Sequence, residues 1–357
     1  MRSREDSRRL LEAIEALPLG ETRIMEVCGT HTMAIAGAGI RSLLPKQVHL
    51  LSGPGCPVCV TVQEDLDAVL DLAMEPGVIM TGYGDMLRVP GSRRGDSLLR
   101  RRALGADVRI VYSPMDALTI AEREPEKQVV FLGIGFETTA PGTAAAVLAA
   151  KERGLKNFSL LSLLKSVEPA LRALLAMDDF AVKGFLCPGH VATIVGEQGF
   201  RFLAEEYGMP GVIGGFEPEE ILSAIYLLLK QISEGDARIQ NAYPRAVRPE
   251  GNVLARRMLE EAFTLSDARW RGLGEIPRSG FTLKPELSDF DAAKRFTFRP
   301  KQAVLQNGCR CGDVITGRLR PQNCPLFGKA CTPEEPVGPC MVSSEGACAA
   351  AYKYELQ

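Results

Sequence analysis

The chain has 357 residues, of which 46% are hydrophobic and 24% charged, enough apolar material for the cores of two or three globular domains. A formal net charge of −2 excludes a broad basic surface for nucleic acid, and the runs Arg93-Arg94 and Arg100-Arg101-Arg102 read as solvated faces. No apolar run reaches the roughly 18–20 residues that span a bilayer, and no leader-like apolar stretch opens the chain, so a cytoplasmic protein is expected.

Residues 5–16 carry Leu10, Leu11 and Ile14 at helical spacing and predict an amphipathic N-terminal helix. Short apolar runs then alternate with longer helical patterns. Strands are expected at 23–27, 48–51, 78–80 and 108–112, with a helix near 60–75. The rhythm restarts with strands at 129–134, 158–163, 183–186 and 212–213, and helices near 138–153, 168–177, 190–207 and 217–233. Such alternation predicts an α/β fold of parallel sheets covered by helices. Division of these units four and four predicts two similar α/β domains, at 21–126 and 127–235, after an N-terminal helix at 1–20. The repeated Gly135-Phe136-Glu137 and Gly215-Phe216-Glu217 fit duplication or chance equally. After about residue 235 the rhythm fails, and a third region at 236–357 carries six of the ten cysteines in loop-like sequence. So little apolar periodicity calls for another constraint, which a metal group would supply.

In open α/β sheets ligands bind beyond the carboxyl ends of strands, and the unusual residues collect there. The first strand runs into Cys28-Gly29-Thr30-His31-Thr32. A thiol between a strand and a helix start is expected to have a lowered pKa and to bind a soft metal as thiolate; the alternative is a buried structural cysteine. His31 suits a ligand, a proton donor or a cap. The second strand runs into Gly53-Pro54-Gly55 and the C-x-x-C pair Cys56 and Cys59, which suits two-electron thiol–disulfide exchange, half a zinc site, or inert structure. Glu137 opens a helix in the second half, either as a cap or as a functional carboxylate. His190 opens another, where a neutral imidazole can donate or polarise, and Cys187 ends its strand.

Among the tail cysteines, Cys324, Cys331, Cys340 and Cys348 are spaced to wrap a 4Fe–4S cluster, which takes four thiolates. Cys309 and Cys311 are alternative ligands, and zinc is the competing metal. Gly133-Ile134-Gly135 begins like a dinucleotide fingerprint, but residue 138 is Thr. Gly82-Tyr83-Gly84 fails likewise, with Leu at position 87, and neither a P-loop nor an H-E-x-x-H motif occurs.

Taken together, Cys28-Gly-Thr-His-Thr32, Gly53-Pro-Gly-Cys-Pro-Val-Cys59, Gly135-Phe-Glu-Thr-Thr-Ala-Pro141, Pro188-Gly-His-Val191, Cys324-Pro-Leu-Phe-Gly328 and Gly338-Pro-Cys-Met-Val-Ser-Ser-Glu-Gly-Ala-Cys348 resemble the HypD family of hydrogenase maturation proteins, in family order. The resemblance implies two α/β domains and a third element holding a 4Fe–4S cluster. It implies a scaffold and electron donor for the Fe(CN)2CO iron of nickel–iron hydrogenases, with a HypC-type partner sharing the iron and a HypE-type partner delivering cyanide. Cys28 then corresponds to the iron-binding thiol, Cys56 and Cys59 to the redox pair, and Cys324, Cys331, Cys340 and Cys348 to the cluster ligands. His31, Glu137 and His190 are candidate hydrogen-bond donors to the cyanide nitrogens. An iron–sulfur-dependent thiol–disulfide reductase is the alternative function, and a zinc-stabilised adaptor a third.

Overall fold

The computed structural model describes residues 2–296, 298–301 and 308–356. Its strands are β1 (Thr22–Glu26), β2 (Val48–Ser52), β3 (Val78–Gly82), β4 (Asp107–Ile110), β5 (Gln128–Gly133), β6 (Phe158–Ser162), β7 (Phe185–Pro188), β8 (Gly211–Gly214), β9 (Ile239–Asn241), β10 (Phe263–Trp270) and β11 (Gly274–Leu283). The eight strands read from the sequence all form, within two residues of their expected bounds.

Their grouping differs from the expectation. β1 and β2 do not pair with β3 and β4. They join β7, β8 and β9 in a five-stranded parallel sheet of order β2-β1-β7-β8-β9, while β3 to β6 form a four-stranded parallel sheet of order β4-β3-β5-β6. Division by chain order at residue 126 therefore does not separate the sheets. Periodicity announces a strand but carries no record of its neighbour. The repeated Gly-Phe-Glu follows β5 in one sheet and β8 in the other, each an inner strand beside an edge strand.

Both sheets are sandwiched by apolar helix faces. Ile24, Leu50, Leu186 and Val212 pack with Ile225 and Leu228 of the helix Pro218–Glu234, and Ile14 of the N-terminal helix Arg2–Glu15 joins them. Val129, Phe131 and Phe158 pack with Leu118 and Val147 from the helices Pro114–Arg123 and Ala140–Glu152. Each such fully buried branched or aromatic side chain contributes roughly 1.5–3 kcal/mol.

The expected helix near 60–75 is two, Pro57–Val60 and Gln63–Leu72, because Thr61 and Val62 are extended. The one near 190–207 breaks at Gly196, whose φ of 77° and position 2.3 Å (for a Cβ) from Pro249 O admit only glycine.

Past residue 235 more regular structure exists than the sequence suggests. β9 extends the first sheet, the helix Val253–Ala262 is capped by Asn252, and β10 and β11 make an antiparallel hairpin. A register shift between Ser266 and Ala268, and Arg278 at φ 52°, erase the alternation that would have announced the hairpin. From 309 onward the described residues form turns and the short helices Cys311–Ile315 and Ala347–Tyr354.

Candidate functional site

Strand order fixes where ligands gather. In the first sheet the chain leaves β1 toward β2 on one side and meets β7 on the other, so the crevice between the ends of β1 and β7 is a topological switch point. Cys28 follows β1 and His190 follows β7. In the second sheet the equivalent crevice lies between β3 and β5, and Glu137 follows β5.

Cys28 is the N-cap residue of the helix Gly29–Gly37 and is 7% exposed. Three segments press on it. The Gly53-Pro54-Gly55 loop lies against its backbone: Gly29 N–H donates to Gly55 O at 3.0 Å, and a Cβ on Gly55 would stand 2.2 Å from Cys28 N. The C-terminal loop packs on Gly29, where a Cβ would meet Glu345 Cβ at 2.3 Å, and Thr30 Oγ1 donates to Glu345 Oε1 at 3.1 Å. From β1, the buried Glu26 accepts the Cys28 N–H at 3.2 Å and the Thr32 hydroxyl at 2.6 Å, with Arg41 Nη2 3.7 Å away.

The expected lowering of the Cys28 pKa is corrected here. Burial pushes the thiol up to about 12, Glu345 and Glu26 add to the rise, and the helix N–H groups of His31 and Thr30 only partly offset it. Burial likewise raises Glu26 to about 7 against the opposing charge of Arg41. A cation at this thiol would relieve both groups.

His31 is fully buried. Its pKa is lowered to about 4 by burial, so the neutral ring donates Nε2–H to Gly215 O at 2.8 Å, while Nδ1 has no hydrogen-bond partner among the described residues. His190 is exposed; its ring stacks on Phe216 at 3.9 Å and its Nδ1 lies 3.4 Å from Thr30 Oγ1. Glu137 stands apart. Its Oε1 accepts from Ser166 Oγ at 2.8 Å and Val167 N at 2.9 Å, at the start of the helix Val167–Leu175. Among the described residues no hydrogen bond links it to Cys28 or His190. Cys187 is buried, and a Cβ on Gly211 would stand 3.1 Å from its sulfur, as for a packing residue.

Cys56 and Cys59 are joined as a disulfide around the short helix Pro57–Val60. Cys59 N–H donates to Cys56 Sγ at 3.1 Å, and the Ser343 hydroxyl lies 3.3 Å from the same sulfur. On the far side, Cys59 O lies 4.0 Å from Cys311 Sγ. Cys311 opens a cavity lined by all six tail cysteines, Cys309, Cys311, Cys324, Cys331, Cys340 and Cys348, with no histidine or carboxylate.

Cys311 and Cys340 share a hydrogen bond. It draws the Cys311 thiol below its usual value and, with a bond to Cys348, holds the Cys340 thiol well above. Among the described residues no three His, Cys, Asp or Glu groups close on a single-ion position. The free space is about 20 Å3, so thiol rotamers must turn to admit a metal group. By donor chemistry six soft thiols fit an iron–sulfur group.

Sequence reasoning assigned no role to Glu26, Ser343, Glu345 or Phe216, although Ser343 and Glu345 lie within the motif 338–348 and Phe216 within the repeated Gly-Phe-Glu; Glu26 stood only as a carboxylate two residues before Cys28.

A family model called HypD, described as the hydrogenase formation hypA family, matches residues 5–355. The hydrogenase maturation factor HypD of Escherichia coli (strain K12) is 45% identical over 336 residues, covering 94% of this chain and 90% of that protein. The hydrogenase expression/formation protein HupD of Azotobacter chroococcum mcd 1 is 44% identical over 351 residues, covering 97% and 92%. HypD of Cupriavidus necator is 44% identical over 347 residues, covering 95% and 91%. A crystal structure of 2,3-dimethylmalate lyase matches at TM-score 0.17 and 12% identity, covering 68% of this chain and 81% of that one; that likeness carries no argument about the fold. With a family match over nearly all residues and relatives this similar along their length, the chain belongs to the HypD family of hydrogenase formation and maturation factors.

Proposed function

We propose that this chain is a redox-active scaffold on which the Fe(CN)2CO unit of nickel–iron hydrogenases is assembled, with Cys28 holding the iron as cargo jointly with a HypC-type partner and a HypE-type partner delivering the cyanide. One observation carries this reading: the Cys56–Cys59 loop touches the Cys28 segment through Gly55 and the six-cysteine cavity through Cys59 O. A thiol that can bind iron, a two-electron couple and a thiol-rich cavity thus adjoin in sequence.

Each residue has a defined task. The Cys28 thiol, protonated while the site is empty, exchanges its proton for iron, and the metal charge satisfies the buried carboxylate surroundings. The Cys56–Cys59 disulfide takes up two electrons and two protons to become a dithiol, and the reverse step returns them. His190, exposed beside Thr30 two residues after Cys28, is the group proposed to hydrogen-bond a cyanide nitrogen. Cys324, Cys331, Cys340 and Cys348 are the thiols proposed to hold a 4Fe–4S cluster, which when bound supplies one-electron reducing equivalents.

The test is infrared spectroscopy of the anaerobically purified protein with its small partner. Cyanide and CO bands are expected in the wild type and absent in Cys28→Ser, with Cys56–Cys59 exchange intact in both. Bands that survive in Cys28→Ser would overturn its assignment. A wild type without bands but with active dithiol exchange would favour the reductase.

A further inference from the structure

The turn between β10 and β11 brings one cation into the junction between the disulfide loop and the cysteine cavity. Arg271 N–H donates to Val60 O at 2.8 Å. Its guanidinium donates through Nε to Cys59 O and Thr61 O, both at 3.1 Å, and through Nη2 to Thr61 O at 2.8 Å and Gln63 Oε1 at 3.4 Å. Every one of these acceptors is neutral. The nearby arginines differ: Arg269 is paired with Asp65 at 2.7 Å, and Arg310 with Asp313. Among the described residues Arg271 forms no ion pair, so its charge is not cancelled locally.

The turn is also wedged in place. Gly272 has φ 78°, and a Cβ on it would stand 2.6 Å from Gly312 O, in the helix that begins at Cys311. The guanidinium fork spans two carbonyls left free at the end of the helix Pro57–Val60, a geometry one ammonium group cannot reproduce.

We propose that Arg271 is a positioning residue that holds an uncompensated positive charge between the Cys56–Cys59 pair and the cysteine cavity, and thereby makes the pair easier to reduce. Reduction breaks the S–S bond and places two electrons and two protons on the sulfurs. To the extent that a sulfur remains a thiolate, a fixed cation stabilises the reduced product and not the neutral disulfide. The inference rests on the redox reading of the pair but not on the iron cargo.

The test equilibrates the full-length protein with dithiol buffers of graded potential, then counts alkylated Cys56 and Cys59 by mass spectrometry. Arg271→Gln is expected to reduce the equilibrium constant for reduction about tenfold, which corresponds to a midpoint about 30 mV more negative. Arg271→Lys should recover more than half of that change, because the charge remains. A folded Arg271→Gln with an unchanged constant, or Arg271→Lys indistinguishable from it, overturns the proposal while leaving the redox reading intact. A wild-type pair that does not titrate reversibly overturns the redox reading itself, and this inference with it. If Arg271→Gln does not fold, Arg271→Lys decides: a constant within about threefold of the wild type supports the retained charge, and one about tenfold lower overturns the proposal.

Discussion

The two thiol centres of this molecule are built in opposite ways. Around Cys28 the Gly53-Pro54-Gly55 loop lies on the cysteine's own backbone, and the charged groups that act on the thiol, Glu26 and Glu345, are both acidic. The tail cysteines sit in short turns, beside an arginine with no acidic partner among the described residues. A tightly packed thiol among carboxylates keeps its proton until a cation replaces it. The cavity thiols are mostly raised as well, Cys309 and Cys331 chiefly by burial and Cys340 by its cysteine neighbours, and only Cys311 is lowered. What separates the centres is donor number: one thiol suits the capture of a metal as cargo, and six converging thiols suit the retention of one.

The largest expected effect tests that division. On the cluster reading, Cys324→Ser, Cys331→Ser, Cys340→Ser and Cys348→Ser should each remove essentially all bound iron and sulfide from anaerobically purified protein, while Cys28→Ser should not. Cys309→Ser and Cys311→Ser should keep it. The Cys311–Cys340 contact makes Cys311 the sharpest point: if Cys311→Ser empties the protein and Cys340→Ser does not, the ligand set shifts while the proposed resident site stands. Zinc without iron in the wild type would end the cluster reading.

Much of this contrast was legible in the sequence because it lies in residue type at strand ends. Cys28, Cys56, Cys59 and His190 were found that way, since a strand followed by a small-residue loop fixes a position in the fold before any partner is known. Direction and partnership were not legible. Glu137 was expected beside the cyanide-binding groups, yet its side chain turns to Ser166 and Val167, and no pattern in one chain tells which way a helix-start carboxylate points. Glu345 reaches Thr30 across 315 positions. The pKa of Cys28 was misjudged because helix position is local and burial is not. Membership of the two sheets was hidden for the same reason, and the β10–β11 hairpin by its bulge.

A smaller effect probes how each centre is packed. A Cβ on Gly55 meets Cys28 N at 2.2 Å and Cys28 Cα at 2.5 Å, backbone that cannot rotate aside. Gly55→Ala should therefore lower unfolding stability by about 3 kcal/mol. On the cavity side, a Cβ on Gly338 meets Cys309 Sγ at 2.4 Å, the end of an exposed side chain that can turn away. Gly338→Ala should cost less than about 1 kcal/mol. Denaturant melts of the two variants would compare them directly, and equal losses would show that Cys309 cannot turn aside as proposed.

The smallest effect concerns the acidity of the Cys28 centre, and its sign can be worked out. Glu26 is raised from 4.5 to about 7, so its contribution to stability is full below pH 4.5 and is lost as pH rises through 7. His31 is lowered from 6.5 to about 4, so its contribution is full above pH 6.5 and is lost as pH falls through 4. Between pH 4.5 and 6.5 the two run in opposite directions by about 1.4 kcal/mol per pH unit each and nearly cancel. In metal-free protein Glu26→Gln should expose the His31 slope, so that stability climbs with pH across this window relative to the wild type. His31→Gln, which keeps a donor for Gly215 O, should expose the Glu26 slope, and stability should fall with pH. Urea midpoints at half-unit intervals measure both. If Glu26→Gln follows the wild-type profile, Glu26 is ionised throughout the window and faces Cys28 as a full negative charge. The contrast with the Arg271 side would then be steeper than the raised pKa of Glu26 implies.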